Sequence, residues 1–360
     1  MDIVPRRITL VGQVQEILRQ GMVAGRWKLF LPGERKLSRE LQVSRWTLRA
    51  ALMGLADAKL IQIAHGRPCR IVSGDDAVVR GKDWRVGCIV PEPLWQLRGF
   101  VALWIDALRA EIQDLGGHLN LYDGPRLYRR GCAKALTELT QQLPHDCWIL
   151  LLSSQPMQKW FRDAGLSVIV AGSVSEGVDL PSIDLHHGAI ARHAAGTLLA
   201  HGHRHIAFLS YHRGHAGVIQ GERGFRAAFA EERYRNAELS VVYCEADPAS
   251  LCRALDRIFA RSAPPTAFYI QQSNALLTTL GYLAQRKMAV PRDISVIVDE
   301  NEPYLRWLVP EQTCYSITPN LFAKQVSRLV RRALERPLPA DTQVQLMPVF
   351  VSGKTVQRRA

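Results

Sequence analysis

The stretch VSRWTLRAAL, residues 43–52, combines two patterns in ten letters. Ser44 is a good helix N-cap, because its hydroxyl can take one of the backbone N–H groups that the first turn leaves unpaired. Leu48, Ala51, Leu52 and Leu55 then recur at helical spacing and define a buried side. Arg45, Trp46, Arg49 and Met53 fall on the opposite side, so the front of this helix is basic and aromatic. As an ordinary surface helix, its arginines would be solvated and Trp46 half-buried against a neighbour. The alternative is that the front faces another molecule.

The flanking sequence favours the second reading. A short helical pattern, Lys36–Gln42 with Leu37 and Leu41, precedes the stretch across a tight turn at Gln42-Val43. A second helix with basic residues in its first turn, set behind such a turn, is what a helix-turn-helix requires. Its N-terminal turn enters the major groove of DNA, where arginine can donate two hydrogen bonds to a guanine edge. Leu60–Ile63 and Cys69–Val72, separated by His65-Gly66-Arg67-Pro68, read as a small hairpin whose tip can reach the minor groove or a phosphate. Before these elements, Val11, Val14, Ile17 and Leu18 share one face of a further helix.

Charge agrees with this placement. The chain has 360 residues and a formal net charge of +13. Residues 1–82 hold 15 Lys+Arg against 7 Asp+Glu, a net of +8, and the other 278 hold 31 against 26, a net of +5. The asymmetry fits a polyanion partner for the N-terminal part or, on charge alone equally well, a solvated basic surface. No apolar run is long enough to span a membrane, and MDIVPRRITLVGQ lacks the apolar core of a secretory signal. Seven cysteines without a CxxC pair fit reduced thiols and a cytoplasmic location.

From Trp84 onward the pattern changes. Short apolar runs (RVGCIV, CWILLL, SVIVAG, HIAFLS, TAFYI, ISVIV) alternate with helical patterns, as in βαβ units with a mostly parallel sheet. The expected organisation is a DNA-binding domain at 1–72, a linker at 73–83 (SGDDAVVRGKD), and an α/β domain of two lobes at 84–360. Ligands of open α/β sheets sit beyond the carboxyl ends of the strands. Those ends are 91–97, 123–124, 153–154, 172–173, 211–219, 271–273 and 299–301, and Trp95 offers a flat face for a ring or for packing between lobes.

The segment LPGERKLSRELQVSRWTLRAALMGLADAKLIQIAHGRPCRIV resembles the GntR-type winged helix-turn-helix. Gly33, Leu48 and Lys59 stand where that family usually has Ser, Val and Gly. The resemblance implies DNA contacts from Arg35, Arg45, Thr47 and Arg49, with wing contacts around His65, Gly66 and Arg67. Ser44 belongs to the same surface. Trp46 replaces a small polar residue and is expected to alter site preference, through apolar contact with a thymine methyl.

From Trp84 the chain resembles the effector domain of LacI/GalR-type repressors, a periplasmic-binding-protein-like fold of two Rossmann-like lobes with parallel sheets. The carrying segments are RVGCIVP (85–91), VDLPSIDLHHGAIARHAAGTLLAHGHRHIAFLS (178–210), GFRAAF (224–229), PPTAFYI (264–270) and VPRDISVIV (290–298). This resemblance implies closure of the lobes on a small molecule and dimerisation through them. The polar clamp departs from the family: Gly221 takes the place of an arginine, Gln272-Ser273 that of an Asn-Asp pair, and Glu300 or Asp299 that of an aspartate. The expected ligand set is Trp95, Asp123, Ser153, Arg223, Gln272, Ser273, Asp299 and Glu300.

Eight of the eleven histidines lie between 186 and 215, yet His203 belongs to the GHR element, and His201 and His205 flank it across a helix end and a strand start. Convergence on a metal is not expected. No GxSxG, P-loop or HExxH motif occurs, so no enzyme and no cofactor is expected. The expectation is a cytoplasmic homodimeric regulator, read as a repressor, that binds double-stranded operator DNA. A small molecule, with a sugar or sugar derivative as one candidate, would modulate its affinity. The alternatives are a regulator whose effector domain only dimerises, and a cytoplasmic sugar-binding module or enzyme.

Overall fold

The structure is a computed structural model that describes residues 10–23, 27, 30–57, 60–63, 69–71, 84–211, 215–300 and 302–359. It divides into two compact units, Met1–Asp83 and Trp84–Ala360. The expected linker at 73–83 and the wing tip His65, Gly66 and Arg67 lie outside the described residues.

The first unit contains α1 (Leu10–Val23), α2 (Glu34–Glu40), α3 (Arg45–Asp57) and a two-stranded antiparallel ladder, β1 (Ile61–Gln62) with β2 (Arg70–Ile71). Helix α2 begins two residues before its expected start and ends two before its expected end. Gly33 supplies the carbonyl for the amides of Lys36 and Leu37. Gln42 leaves helical geometry at φ 51°, making the tight turn. Leu48, Ala51, Leu52 and Leu55 of α3 are buried, as their spacing requires. They pack with Val14 and Leu18 of α1, Leu37 of α2, and Ile61 and Ile71 of the ladder. Leu31 N donates to Cys69 O at 2.8 Å, which ties the chain before α2 to the ladder.

The second unit is a pair of α/β lobes. The first lobe has β3 (Trp84–Val90), α4 (Gly99–Asp114), β4 (Gly117–Asp123), α5 (Ala133–Gln142), β5 (Cys147–Leu151), α6 (Gln155–Asp163), β6 (Val168–Ala171) and β7 (Ser182–Leu185). The chain crosses through α7 (His187–Ala200) into the second lobe, which has β8 (His205–Tyr211), α8 (Ala216–Phe229), β9 (Glu238–Cys244), α9 (Pro248–Phe259), β10 (Ala267–Ile270), α10 (Ser273–Gln285), β11 (Ser295–Val298) and β12 (Thr313–Ser316). Helix α11 (Pro319–Glu335) returns to the first lobe, packing Phe322, Val326 and Leu329 against Trp104, Ile105 and Leu108 of α4. β13 (Gln343–Leu346) then joins the first sheet and β14 (Val349–Val351) the second, so the lobes are joined by three crossings.

The first sheet has the order β13-β7-β6-β5-β3-β4 and is parallel throughout; the second has the order β14-β12-β11-β10-β8-β9, with β14 antiparallel to β12. The central strands CWILL, VIVA, AFYI and SVIV are buried along their whole length. Helices cover both faces of a parallel sheet, so these strands read as continuous apolar runs rather than alternating ones. No helix among the described residues is long and apolar enough to cross a membrane.

The GHR element has a structural explanation. Gly202 sits at φ 88°, and a Cβ there would lie 2.5 Å from Arg359 O. His203, 1% exposed, meets Thr266 Oγ1 at 2.8 Å through Nδ1, and Ser295 Oγ at 2.9 Å and Gln357 O at 3.1 Å through Nε2. The carbonyl of Gln357 requires a proton on Nε2, leaving Nδ1 to accept from Thr266. Burial pushes this imidazole down to about 4, so it is neutral near pH 7. Segment 355–359 is thereby fastened beside the start of β11, where Thr355 O accepts from Val296 N at 2.8 Å and Thr355 Oγ1 from Thr313 N at 2.9 Å.

Candidate functional site

Two surfaces carry the chemistry, one in each unit. In the first, the start of α3 is set by a hydroxyl pair. Ser44 Oγ accepts from Thr47 N at 3.0 Å, the N-cap bond that the sequence suggests, and lies 2.8 Å from Thr47 Oγ1. Thr47 is therefore turned inward and buried, at 9% exposure, whereas Trp46 beside it is 77% exposed. Arg35, Arg45 and Arg49 are exposed. Arg49 Nε donates to Glu34 Oε2 at 2.9 Å, which links the front of α3 to the first residue of α2. Arg45 and Trp46 open the helix, with the positive end of its dipole behind them.

The second surface is the cleft at the carboxyl ends of the strands, between the two lobes. It holds a cavity of about 300 Å³. Phe100, Val101, Trp104 and Phe322 form an apolar wall; Arg98, Ser153, Ser173, Asp184 and His187 line it with Tyr211, His215, Gln271, Gln272, Asp299 and Glu300. Two charged groups span the lobes. His187, the first residue of α7, lies 3.4 Å from Asp184 through Nε2 and 3.4 Å from Asp299 through Nδ1. Asp184 also accepts from Ser173 Oγ at 2.6 Å and from Leu185 N at 2.8 Å, and Asp299 accepts from Tyr269 OH at 2.6 Å. Burial opposes charge on His187, but the two carboxylates outweigh it and hold the imidazole up at about 10. Asp184 is likewise pushed up by burial and brought below its usual range by His187 and its hydrogen bonds.

The second spanning group is Arg98, in the loop before α4. It pairs closely with Glu300 and lies 4.0 Å from Glu302 Oε1, while Glu302 Oε2 accepts from Phe100 N at 3.0 Å. Burial lowers the Arg98 pKa from its ordinary value, against the pull of Glu302, Asp299 and Asp184.

Of the residues expected to hold a ligand, the structure brings Ser153, Gln272, Asp299 and Glu300 to the cavity. Trp95, 80% exposed, does not line it, nor do Asp123, on the surface, or Arg223, which reaches toward Glu176 at 3.8 Å. Ser273 is fully buried as the first residue of α10 and is not part of the lining. Gln272 Oε1 accepts from Tyr211 N at 2.8 Å, so its amide fixes the end of β8. Gly221, standing where the family has an arginine, makes room for Gln271: a Cβ there would collide with Gln271 Nε2. Arg98, Asp184 and His187 are the charged lining residues that sequence reading missed, along with the apolar wall of Phe100, Val101, Trp104 and Phe322. Arg98 lies one residue past the loop marked at 91–97, and His187 lay hidden in the histidine-rich run. Of the other described histidines of that run, His215 also lines the cavity, whereas His193 pairs with Tyr315 and His201 with Thr197. No group of metal-ligating side chains occurs among the described residues.

Comparison with known proteins agrees with this architecture. Residues 10–71 match the family model of bacterial regulatory proteins, gntR family, and residues 195–356 match that of the periplasmic binding protein-like domain. A curated relative, the HTH-type transcriptional regulator RafR of Escherichia coli, is 24% identical over 209 residues, 57% of this chain and 61% of its own length. The chain thus spans about three fifths of that relative. The transcription regulator CcpA of Lactococcus lactis superposes with a TM-score of 0.67 at 15% identity, covering 77% of this chain and 100% of its own. A transcriptional regulator CelR–cellobiose complex gives 0.66 at 17% identity, covering 97% of this chain and 100% of its own. The chain thus joins a region that matches the gntR family to a two-lobed fold that matches the periplasmic binding protein-like domain over residues 195–356.

Proposed function

We propose that this protein is a cytoplasmic, homodimeric transcription repressor that binds double-stranded operator DNA through the front of α3, and that a small molecule in the cleft modulates its affinity. The observation that carries the DNA reading is the two-sidedness of α3. Its apolar back is anchored in the core, and its front holds Arg45, Trp46 and Arg49 exposed beside Arg35. Arg45 and Trp46 read base edges; Arg35 and Arg49 bind phosphate or flanking bases. Ser44 and Thr47 fix the helix start, and His65, Gly66 and Arg67 serve as the wing. A structural neighbour solved as a cellobiose complex supports a carbohydrate-class effector.

The test is selection of bound sequences from randomised DNA, followed by footprinting on the region upstream of the gene. Protection of a pseudo-palindrome is expected, with steep salt dependence. Arg45→Ala should weaken operator binding by about 1–3 kcal/mol, roughly 5- to 150-fold, and relax specificity at one position. No protection, together with no effect of Arg45→Ala, would overturn the reading.

A second reading, in which the lobes only dimerise, is supported by the internal commitment of Gln272 and by Gly221. Melting with and without sugars and nucleosides separates the two, since a ligand bound only by the folded state raises the melting temperature.

A further inference from the structure

Among the described residues, carboxylates outnumber cations around the cleft. Two cations, Arg98 and His187, line it, and each is bracketed by two carboxylates: Glu300 and Glu302 for Arg98, Asp184 and Asp299 for His187. Among the described residues, Asp184, Asp299 and Glu300 line the cavity with these two cations, and Glu302, which does not line it, lies behind Arg98, so the group stands formally at −2. Asp299 and Glu302 are 1% and 2% exposed, so water does little to screen them. Glu302 Oε1 accepts no hydrogen bond, although Arg98 lies 4.0 Å away.

A buried surplus of negative charge is costly unless a counter-charge joins it. Arg98 and His187 are both already paired with carboxylates, so a phosphate or carboxylate on a ligand would add to the surplus. A neutral polyol would supply donors but leave the charge standing. A protonated amine supplies both. On the reading that the cleft is the effector site, we propose that its effector carries a protonated amine and neither phosphate nor carboxylate. An amino sugar is the class that also fits the apolar wall of Phe100, Trp104 and Phe322, the hydroxyls of Ser153 and Ser173, and a cavity of about 300 Å³.

The experiment is a thermal-shift titration of the full chain at neutral pH with matched sugars: glucosamine, glucose, N-acetylglucosamine, glucose 6-phosphate and glucuronate, and the corresponding galacto series. The amino sugars are expected to raise the melting temperature most, the neutral sugars less, and the phosphate and acid not at all. In Glu300→Gln the preference for the amine over its N-acetyl counterpart should shrink about tenfold; Glu300→Asp, which keeps the charge, should preserve it. A phosphate or acid that stabilises as strongly as the amine, or an N-acetyl sugar equal to it, overturns the charge inference and leaves the effector reading standing. A panel that is silent throughout removes both.

Discussion

The head and the cleft use charge in opposite ways. Arg35 and Arg45 at the front of α2 and α3 are exposed to water, and the Arg49–Glu34 pair is itself exposed. Surface ion pairs of that kind contribute little to folding. In the cleft, Arg98 and His187 are each held between two carboxylates across the lobe boundary. Charge that faces solvent is available to a polyanion; charge that is paired internally shapes a cavity and supports the closed fold. On the proposed function, the same residue types serve recognition in one unit and cohesion in the other.

That contrast can be broken by moving an effect to the wrong unit. Asp299→Ala should produce the largest loss of stability, about 3–5 kcal/mol in a urea melt, because it removes one carboxylate from His187 and the acceptor of Tyr269. Arg45→Ala should leave the melt unchanged while weakening DNA binding; a destabilised Arg45→Ala or an unaffected Asp299→Ala would erase the distinction.

Next in size is the pH course of stability. His203 is depressed to about 4, so its contribution is present above its unfolded value of ~6.5 and is lost as pH falls through the interval down to 4. His187 is raised to about 10, so its contribution is complete below ~6.5 and is lost as pH climbs toward 10. The α/β unit should be most stable near the middle of that range, and His203→Gln should flatten the acid side of a melting-temperature profile. The smallest effect belongs to Ser44→Ala, which removes the cap on Thr47 N and should cost the head about 1 kcal/mol by calorimetry, with a smaller loss in the α/β unit contradicting nothing but a larger one reversing the assignment.

Legibility in the sequence followed the same division. Helix α3 could be read except at Thr47, expected on DNA but buried against Ser44: burial of Leu48, Leu52 and Leu55 and exposure of Arg45 and Trp46 follow from local period. The parallel sheets could be read from their apolar runs. The cleft could be read only in outline. Strand-end loops marked Ser153, Gln272, Asp299 and Glu300, but Asp299 meets His187 across 112 residues of chain, and nothing local encodes that meeting. Trp95 and Arg223 have the chemistry of ligand residues and lie outside the cavity, since residue type does not report which way a loop turns or which face a helix presents. Gly221 shows the reverse: an apparent loss of function in the sequence is space made for Gln271.

Thr355 has a practical consequence. Its hydroxyl and carbonyl close the gap where β11 and β12 diverge, and Gly353 fits there because a Cβ would lie 2.5 Å from the backbone of Gln312. Residues 353–359 thus behave as a stitch rather than a trailing end. A shortened clone that stops at β14 would keep every strand and helix of the unit and still come apart at its second sheet, so expression designs should carry the stitch intact.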